Sequence, residues 1–383
     1  MAAYDAFLLL SFGGPEGPDD VFPFLENVTR GRGVPRERLA EVAEHYHAYG
    51  GVSPINDQCR SLLAAVGTAF AAGGIDLPLY WGNRNWHPFI ESAVRQMSAD
   101  GVTRAIAFVT SAYSSYSACR QYLDDIDRAV AAVGPGAPRI DKIRPYFNHP
   151  GFIEPFAATV EAALAGLPAE VQAGARLVCT AHSVPVGMAA ASGSPSTGTM
   201  LASTGVPGAV GGRYAAELRE ASRLIAERVR GGSLPFDLVF QSRSGPPSVP
   251  WLEPDVNDHL AALAKGTHPN GEPLREGPPS AVVVVPVGFV SDHMEVVHDL
   301  DVEAAETAAS LGLPFARAKA PGPTGRFADM VRELVAERVS GAEPLALGRF
   351  GPRAYPASAL AGGAESCPSD CCRYAQQRPG QPA

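Results

Sequence analysis

Residues 281–306 read AVVVVPVGFVSDHMEVVHDLDVEAAE. The first half is an apolar, β-branched run broken by Pro286 and Gly288, short enough to be a strand buried on both faces of a parallel sheet. A helix is predicted to follow over Asp292–Leu311. Asp292 is placed to cap its N-terminus and Glu295 to reach back as the partner in a capping box, while Met294, Val297, Val302 and Ala305 form an apolar side. The other side carries Glu295, Asp299 and Glu303 at i, i+4 and i+8, with Glu306 one turn further. Like charges at that spacing cost roughly a few tenths of a kcal/mol per pair, which water tolerates and a cation reverses. The stripe is therefore either a solvated acidic face or a path for cations. His293 lies where the strand's C-terminal end meets the helix, the edge at which open parallel sheets bind ligands.

The same alternation runs through the rest of the chain. Strands are predicted near Ala6–Ser11, Leu79–Gly82, Ala105–Thr110, Lys142–Tyr146, Arg176–Thr180, Leu238–Gln241 and Phe315–Ala318, besides Ala281–Pro286. Helices are predicted at Arg36–Tyr49, Gln58–Ala71, Phe89–Ala99, Arg120–Ala132, Phe152–Ala165, Tyr214–Arg230, Val256–Ala264 and Arg326–Val339. The expected fold is α/β, two similar doubly wound, Rossmann-like domains with parallel sheets, over residues 1–170 and 171–340. A cysteine-bearing tail, 341–383, follows. Gly187–Gly212 is rich in Gly, Ser, Ala and Thr and reads as a flexible insertion; the tail reads as an extended wrap or a partly disordered arm.

A formal charge of −9 and a pI near 5.5 argue against nucleic acid as a partner, and no run of Lys or Arg forms a phosphate footprint. The N-terminus has no basic lead and no long apolar core, so neither a signal peptide nor a membrane span is predicted. A cytoplasmic monomer is expected. In such a compartment six cysteines suit buried thiols or metal ligands better than disulfides, and three of them, Cys367, Cys371 and Cys372, crowd the tail.

Several further stretches could carry chemistry. SFGGPEGP, after the first strand, lacks both the Walker lysine and the dinucleotide spacing and reads as a tight turn. TRGRG (29–33) places Arg30 and Arg32 on a loop, to pair with carboxylates or face water. YGGVSP (49–54) exposes the Ser53 hydroxyl to a ligand or to the next helix. TSAYSSYSACRQY (110–122) has a density of hydroxyls and aromatics that would suit a flat aromatic ligand, although Tyr113 and Tyr116 could equally be core rings. RLVCTAHSVP (176–185) puts His182 just beyond a buried strand, and FQSRSGPPSVPWLEPDV (240–256) is a third such edge, with Trp251.

Taken together, LLLSFGGPEGP, FLENVTRGRG, YGGVSPIN, TAHSVP, FQSRSGPPSVPWLEPDV and VPVGFVSDHMEV resemble the ferrochelatases, and in detail their actinobacterial branch that metallates coproporphyrin III. The resemblance runs from Asp5 to about Val339. It implies a chelatase-type fold and insertion of ferrous iron, as substrate, into coproporphyrin III in a coproporphyrin-dependent haem pathway. It assigns His182 and Glu295 as the catalytic, iron-handling pair, with His293 shaping the site. Ser53 and Tyr122 are implied porphyrin contacts, Arg30 a propionate partner, and Asp299 and Glu303 an acidic line guiding metal or protons. Chemically, an imidazole and a carboxylate suit a borderline divalent metal, and loss of two pyrrole protons needs a base titrating near neutrality. Phe12 replaces a tyrosine that ligates product iron in several relatives. The resemblance further implies a 2Fe-2S cluster on Cys367, Cys371, Cys372 and one body cysteine. Cys119 is the candidate for that fourth ligand, Cys59 and Cys179 being expected core thiols; zinc is the alternative occupant. Rival readings are the same reaction on protoporphyrin IX, cobalt or nickel insertion into a related tetrapyrrole, and a porphyrin or haem carrier without catalysis.

Overall fold

A computed structural model describes residues 4–31, 33–193, 212–245, 248–350 and 371–374. Its frame is two four-stranded sheets in which every strand pairing is parallel. The first contains β1 (Ala6–Ser11), β2 (Leu79–Asn83), β3 (Arg104–Val109) and β4 (Arg139–Lys142), in spatial order β2-β1-β3-β4. The second contains β5 (Ala175–His182), β6 (Phe236–Gln241), β7 (Ala281–Val285) and β8 (Phe315–Arg317), in order β6-β5-β7-β8. The topology is the same in both halves, as the repeated strand–helix pattern predicts.

Helices cover the sheets. In the first half they are α1 (Pro18–Val28), α2 (Arg36–His47), α3 (Ile55–Ala72), α4 (Ile90–Ala99), α5 (Gln121–Val133) and α6 (Pro150–Ala165). The short α7 (Ala169–Gln172) leads to the second half, where α8 (Val186–Ala190), α9 (Gly212–Ala226) and α10 (Val256–Ala264) follow. Next come α11 (Met294–Val296), a π-helical stretch (Val297–Ala304), α12 (Ala305–Ser310) and α13 (Gly325–Val339). Strand β7 is fully buried along its length, which is why its residues are valine without alternation. One apolar core joins the halves, bringing Phe7, Phe108, Tyr146, Leu177, Val283 and Phe327 together. Helix α13 packs back on α3 and α6, and Arg144 donates two hydrogen bonds of 2.8 Å to Glu337 in the buried seam.

Four expectations need correction. The fourth strand ends at Lys142: Ile143–Tyr146 is buried but extended beyond the ladder, its backbone bonding Ala107 and Ala112 instead. Helix α1 was not among the predicted helices; its Pro18 occupies the first turn, where proline's missing N–H is harmless. The start of the biased segment is ordered, forming α8 and continuing to Gly193; its remainder, 194–211, lies outside the described residues. Finally, Asp292 does not cap the helix. His293 holds the N-cap position, and the Asp292 carboxylate instead accepts from Arg317 at 2.7 Å and from the Ala320 N–H at 3.1 Å. Of the tail, residues 341–350 wrap the body as expected, with the Leu347 N–H bonded to the Asn148 carbonyl at 2.9 Å and the Arg349 N–H to Glu220 at 2.7 Å. Among the described residues no helix is long and apolar enough to cross a membrane.

Candidate active site

The second sheet places its reactive groups at one crevice. His182 is the last residue of β5, which runs two residues past its expected end at Thr180, and the segment after neighbouring β7 carries His293 and Glu295. In the order β6-β5-β7-β8, β5 and β7 are the strands between which the winding reverses, so the crevice is the topological switch point. The approach is close: a Cβ on Gly288, just past β7, would lie 2.5 Å from the Ala181 Cβ, so only glycine fits.

His182 Nε2 and Glu295 Oε1 stand 3.4 Å apart, both side chains partly open to solvent. The Nδ1–H of His182 donates to the Ser183 carbonyl, and the His182 carbonyl accepts from the Tyr214 hydroxyl at 3.0 Å, so ring and backbone are both tethered. Burial disfavours the imidazolium, but Glu295, the Ser183 carbonyl and Asp299 outweigh it and raise the His182 pKa to about 9. Burial likewise opposes ionisation of Glu295, yet His182, His293 and the Ser242 hydroxyl pull its pKa down to about 2. The pair is thus an imidazolium–carboxylate pair at neutral pH. His293 differs, since burial and the His182 charge lower its pKa despite Glu295 and Asp292, leaving it the neutral imidazole of the site.

The acidic line is real, but its helix is not the regular one expected. Glu295 lies in α11, while Asp299 and Glu303 lie in the π-helical stretch, a widened turn that often marks functional sites. Asp299 accepts from Gln241 Nε2 at 3.1 Å and from the Ser242 hydroxyl. Burial and the Glu295 charge nevertheless raise its pKa to about 7, with Glu303 adding to the rise. The group titrating near neutrality is therefore Asp299 rather than His182. Glu303, exposed at the outer end, lies 3.6 Å from His298 Nε2.

The first half supplies the opposite wall. Tyr46 on α2 lies near enough to Glu295 and Asp299 that, after burial, their charges push its phenol further up. His45 stacks on His298 across the gap, ring centroids 4.0 Å apart. Ser53 is buried, its N–H bonded to the Pro15 carbonyl at 2.8 Å, and a Cβ on Gly14 would sit 2.7 Å from the Ser53 Cβ. The SFGG and GGVSP turns are thus interlocked, and the tight-turn reading of the former is sufficient. Tyr122 is also buried, with the Arg84 guanidinium 4.6 Å over its ring. Arg30 is exposed after α1, with no ion pair among the described residues. Phe12 is 38% exposed on the same side, and Trp251 bridges to Pro185 beside His182. Tyr113 is a core ring whose hydroxyl donates to the Val287 carbonyl at 2.7 Å.

Sequence reasoning passed over Gln241, Ser242, Tyr46 and His45. The first two were legible as part of a strand-end motif whose individual polar residues were not singled out. The last two sit on an ordinary amphipathic helix, and only the packing of the halves reveals them.

Comparison with known proteins decides the family. The ferrochelatase family model matches residues 4–339. The chain belongs to the ferrochelatase family. This ferrochelatase is 52% identical to the coproporphyrin III ferrochelatase of Nocardia farcinica over 378 residues, 98% of each chain. It is 49% identical to that of Streptomyces griseus, covering 99% of this chain and 96% of the relative. A protein of Rhodopirellula baltica named simply ferrochelatase is 48% identical, covering 98% and 95%. The molecule is accordingly an enzyme, a metal chelatase with ferrous iron as substrate, and the reading as a non-catalytic carrier is set aside. Among the described residues no group of three or more His, Cys, Asp or Glu is arranged to hold a metal.

The described cysteines divide as expected in one respect. Burial, opposed by Ser11 and Arg60, raises the Cys59 thiol to about 11, and burial, opposed by Ser222, raises Cys179 to about 12, so both are unreactive core thiols. Cys119 is buried in the π-helical turn Tyr116–Arg120, while Cys371 and Cys372 dock on the body, the Cys372 N–H bonding the Gly193 carbonyl at 3.0 Å. Cys367 lies outside the described residues.

Proposed function

We propose that this ferrochelatase inserts ferrous iron into coproporphyrin III, giving Fe-coproporphyrin III in a coproporphyrin-dependent route to haem b. The observation that carries the reaction is the His182–Glu295 pair at the switch point, with Asp299 behind it; the choice of porphyrin is supported by the names of the Nocardia and Streptomyces relatives. A planar porphyrin keeps its nitrogen lone pairs in the ring plane, out of reach of a metal approaching from a face. A cleft that grips the remote propionates can offset the strain of bending the ring and expose those lone pairs. Ser53, Tyr122 and Arg30 are the proposed porphyrin contacts. Ser53 and Tyr122 are buried, so on this reading they set the floor of the cleft, whereas exposed Arg30 meets a propionate.

Proton handling follows from the pKa values. A dication arriving at Glu295 displaces the His182 proton, because its charge replaces the imidazolium as the carboxylate's partner and repels the bound proton. The freed imidazole is then the base for a pyrrole N–H, while Asp299, with a pKa of about 7, accepts and passes on protons toward exposed Glu303. Steady-state iron insertion with coproporphyrin III and protoporphyrin IX side by side tests the substrate. The four-carboxylate ring should show the higher kcat/KM, since each additional propionate can add a charged hydrogen bond of roughly 1.5 to 3 kcal/mol. Equal turnover of both at low concentration would overturn the coproporphyrin assignment and leave protoporphyrin IX, the alternative, standing.

We further propose that Cys119, Cys367, Cys371 and Cys372 hold a 2Fe-2S cluster. The Cys371 and Cys372 sulfurs are 3.7 Å apart, close to the ~3.8 Å between two thiolates on one tetrahedral metal with ~2.3 Å bonds. Adjacent cysteines reach that arrangement because Cys372 adopts a left-handed backbone, φ 56°, unusual for a non-glycine residue. Met188 of α8, the helix that leads to the Gly193 dock, contacts Ser117, two residues before Cys119, at 3.7 Å. Such a cluster would supply a redox-active iron centre apart from the chelation pair. Anaerobically purified protein should absorb in the visible and contain about two irons and two sulfides per chain. Cys119→Ser or Cys371→Ser should bleach it and Cys59→Ser should not. Colourless protein without sulfide would overturn the cluster.

A further inference from the structure

The segment that carries His293 and Glu295 belongs to the second half, but one side chain of the first reaches its backbone directly. Gln58, in the first turn of α3, makes a two-point hydrogen bond with the backbone of Asp292. Its Nε2 donates to the Asp292 carbonyl at 3.0 Å, and the Asp292 N–H donates to its Oε1 at 3.1 Å. Each end of this bond is rigidly connected. Ser53 precedes α3 by two residues and is locked to the Gly13–Pro15 turn. Asp292 immediately precedes His293, and its carboxylate is held by Arg317, which also donates to Asp301 at 2.8 Å. A carboxamide paired with both backbone groups of one residue resists sliding in both directions, as a single bond would not.

We propose that Gln58 is a positioning residue for metal insertion, a clasp that fixes the distance between the Ser53 wall and the His293–Glu295 edge. The idea rests on the chelatase reading of the site. Among the described residues, a hydrogen bond and a ring stack also reach the same segment from the first half, the Tyr113 hydroxyl on the Val287 carbonyl and His45 on His298. Neither fixes residues 292–295. Tyr113 bonds five residues before Asp292, and the His45–His298 stack is a face contact that permits sliding. Gln58 is therefore the contact whose loss would let the metal edge shift against the ring while both halves remain folded. Misplacement by about 1 Å can reduce a rate by about a hundredfold without touching a reacting group.

The test compares Gln58→Met, Gln58→Ala and Gln58→Glu with the parent enzyme on the porphyrin the parent turns over. Methionine keeps length and packing but makes neither bond, so its kcat should fall about tenfold or more, and alanine, which also loses the packing, should fall at least as far. The porphyrin KM of the methionine variant should stay within about twofold, because binding to the first-half wall is untouched. His182 and Glu295 both belong to the second half, so the pKa values governing kcat should not move. Gln58→Glu carries its own control. A protonated carboxyl presents one acceptor and one donor, reproducing the carboxamide's pattern, whereas a carboxylate repels the Asp292 carbonyl and side chain. Its kcat relative to the parent should therefore recover as the pH falls and the introduced carboxylate takes up a proton. A Gln58→Met enzyme with parental kcat would overturn the clasp. So would a variant whose loss lies entirely in porphyrin KM, which would make Gln58 a pocket residue, or a Gln58→Glu enzyme with no recovery in acid. If the parent itself inserts no iron, the chelatase reading fails first, a result distinct from any of these.

Discussion

The two halves of the molecule are wound alike and equipped differently. After β1 and β3 the first half presents Phe12, Gly13, Gly14, Ser53 and the hydroxyl-rich 110–117 segment, groups that neither titrate near neutrality nor bind hard cations strongly. At the equivalent edges the second half presents His182, His293, Glu295 and Asp299, with pKa values moved by one another's charges. Both edges need a glycine at close approach, Gly14 against Ser53 and Gly288 against Ala181. The fold thus supplies two similar crevices, and on the proposed reading side-chain chemistry alone makes one a wall for a flat ligand and the other a site for metal and protons.

If that division is right, the largest effect belongs to His182. His182→Ala removes a base and metal ligand from a partly open cleft, so iron insertion should fall by about 10²–10⁴-fold with little change in melting temperature. Ser53→Ala, on the other wall, should act chiefly on porphyrin KM. Porphyrin consumption followed by fluorescence measures both variants. Comparable losses of kcat in the two would break the division between wall and reactive edge.

Glu295→Gln should have the next largest effect, and it also tests the electrostatics. With the carboxylate gone, burial acts on the imidazolium without its main opponent, so the His182 pKa should drop from about 9. Titration of the His182 ring by NMR reads this directly. A ring that still titrates near 9 would show that Glu295 is not the group holding the proton. In the parent, the sign for His182 is that of a raised histidine pKa: the stability its protonation contributes is present below pH 6.5 and is lost as the pH rises through about 9, while that of Glu295 is present above about pH 4.5 and is lost as the pH falls toward 2.

What the chain revealed before folding was the part encoded locally. The valine run of β7, the alternation of strand and helix and the carboxylates at fixed intervals are all short-range signals, and each was legible. The capping role of Asp292 was misread because Arg317 and the Ala320 N–H, its true partners, lie 25 and 28 residues away. The protonation of His182 was misread for the same reason: an isolated histidine titrates near neutrality, and it is chiefly the 3.4 Å approach of Glu295, over a hundred residues later, that moves it. Tyr46, His45 and Gln58 reach the site from helices whose sequence gives no hint of a partner in the other half. Local chemistry was readable, and interactions between the halves were not.

The smallest expected effect is on stability, at Asp299. Its folded pKa of about 7 stands above the ordinary 3.8, so its contribution is most favourable when it is protonated, below about pH 4. As the pH rises through 7 the folded state must ionise a carboxyl that burial and Glu295 both oppose, and that stability is lost. Asparagine has no proton to lose, and its Oδ1 can still accept from Ser242 and Gln241. Asp299→Asn should therefore gain on the parent as the pH rises from 4 to 8, ending about a degree or two higher in melting temperature at pH 8 relative to its standing at pH 4. Activity should move the opposite way, since the variant loses the carboxylate that relays protons between the pair and Glu303. Melting curves at the two pH values, set beside kcat at pH 8, measure both effects. A variant that loses stability at pH 8 would mean that Asp299 is held as a structural anion by Ser242 and Gln241. The second crevice would then be distinguished from the first by two reactive residues, His182 and Glu295, and not by a proton line.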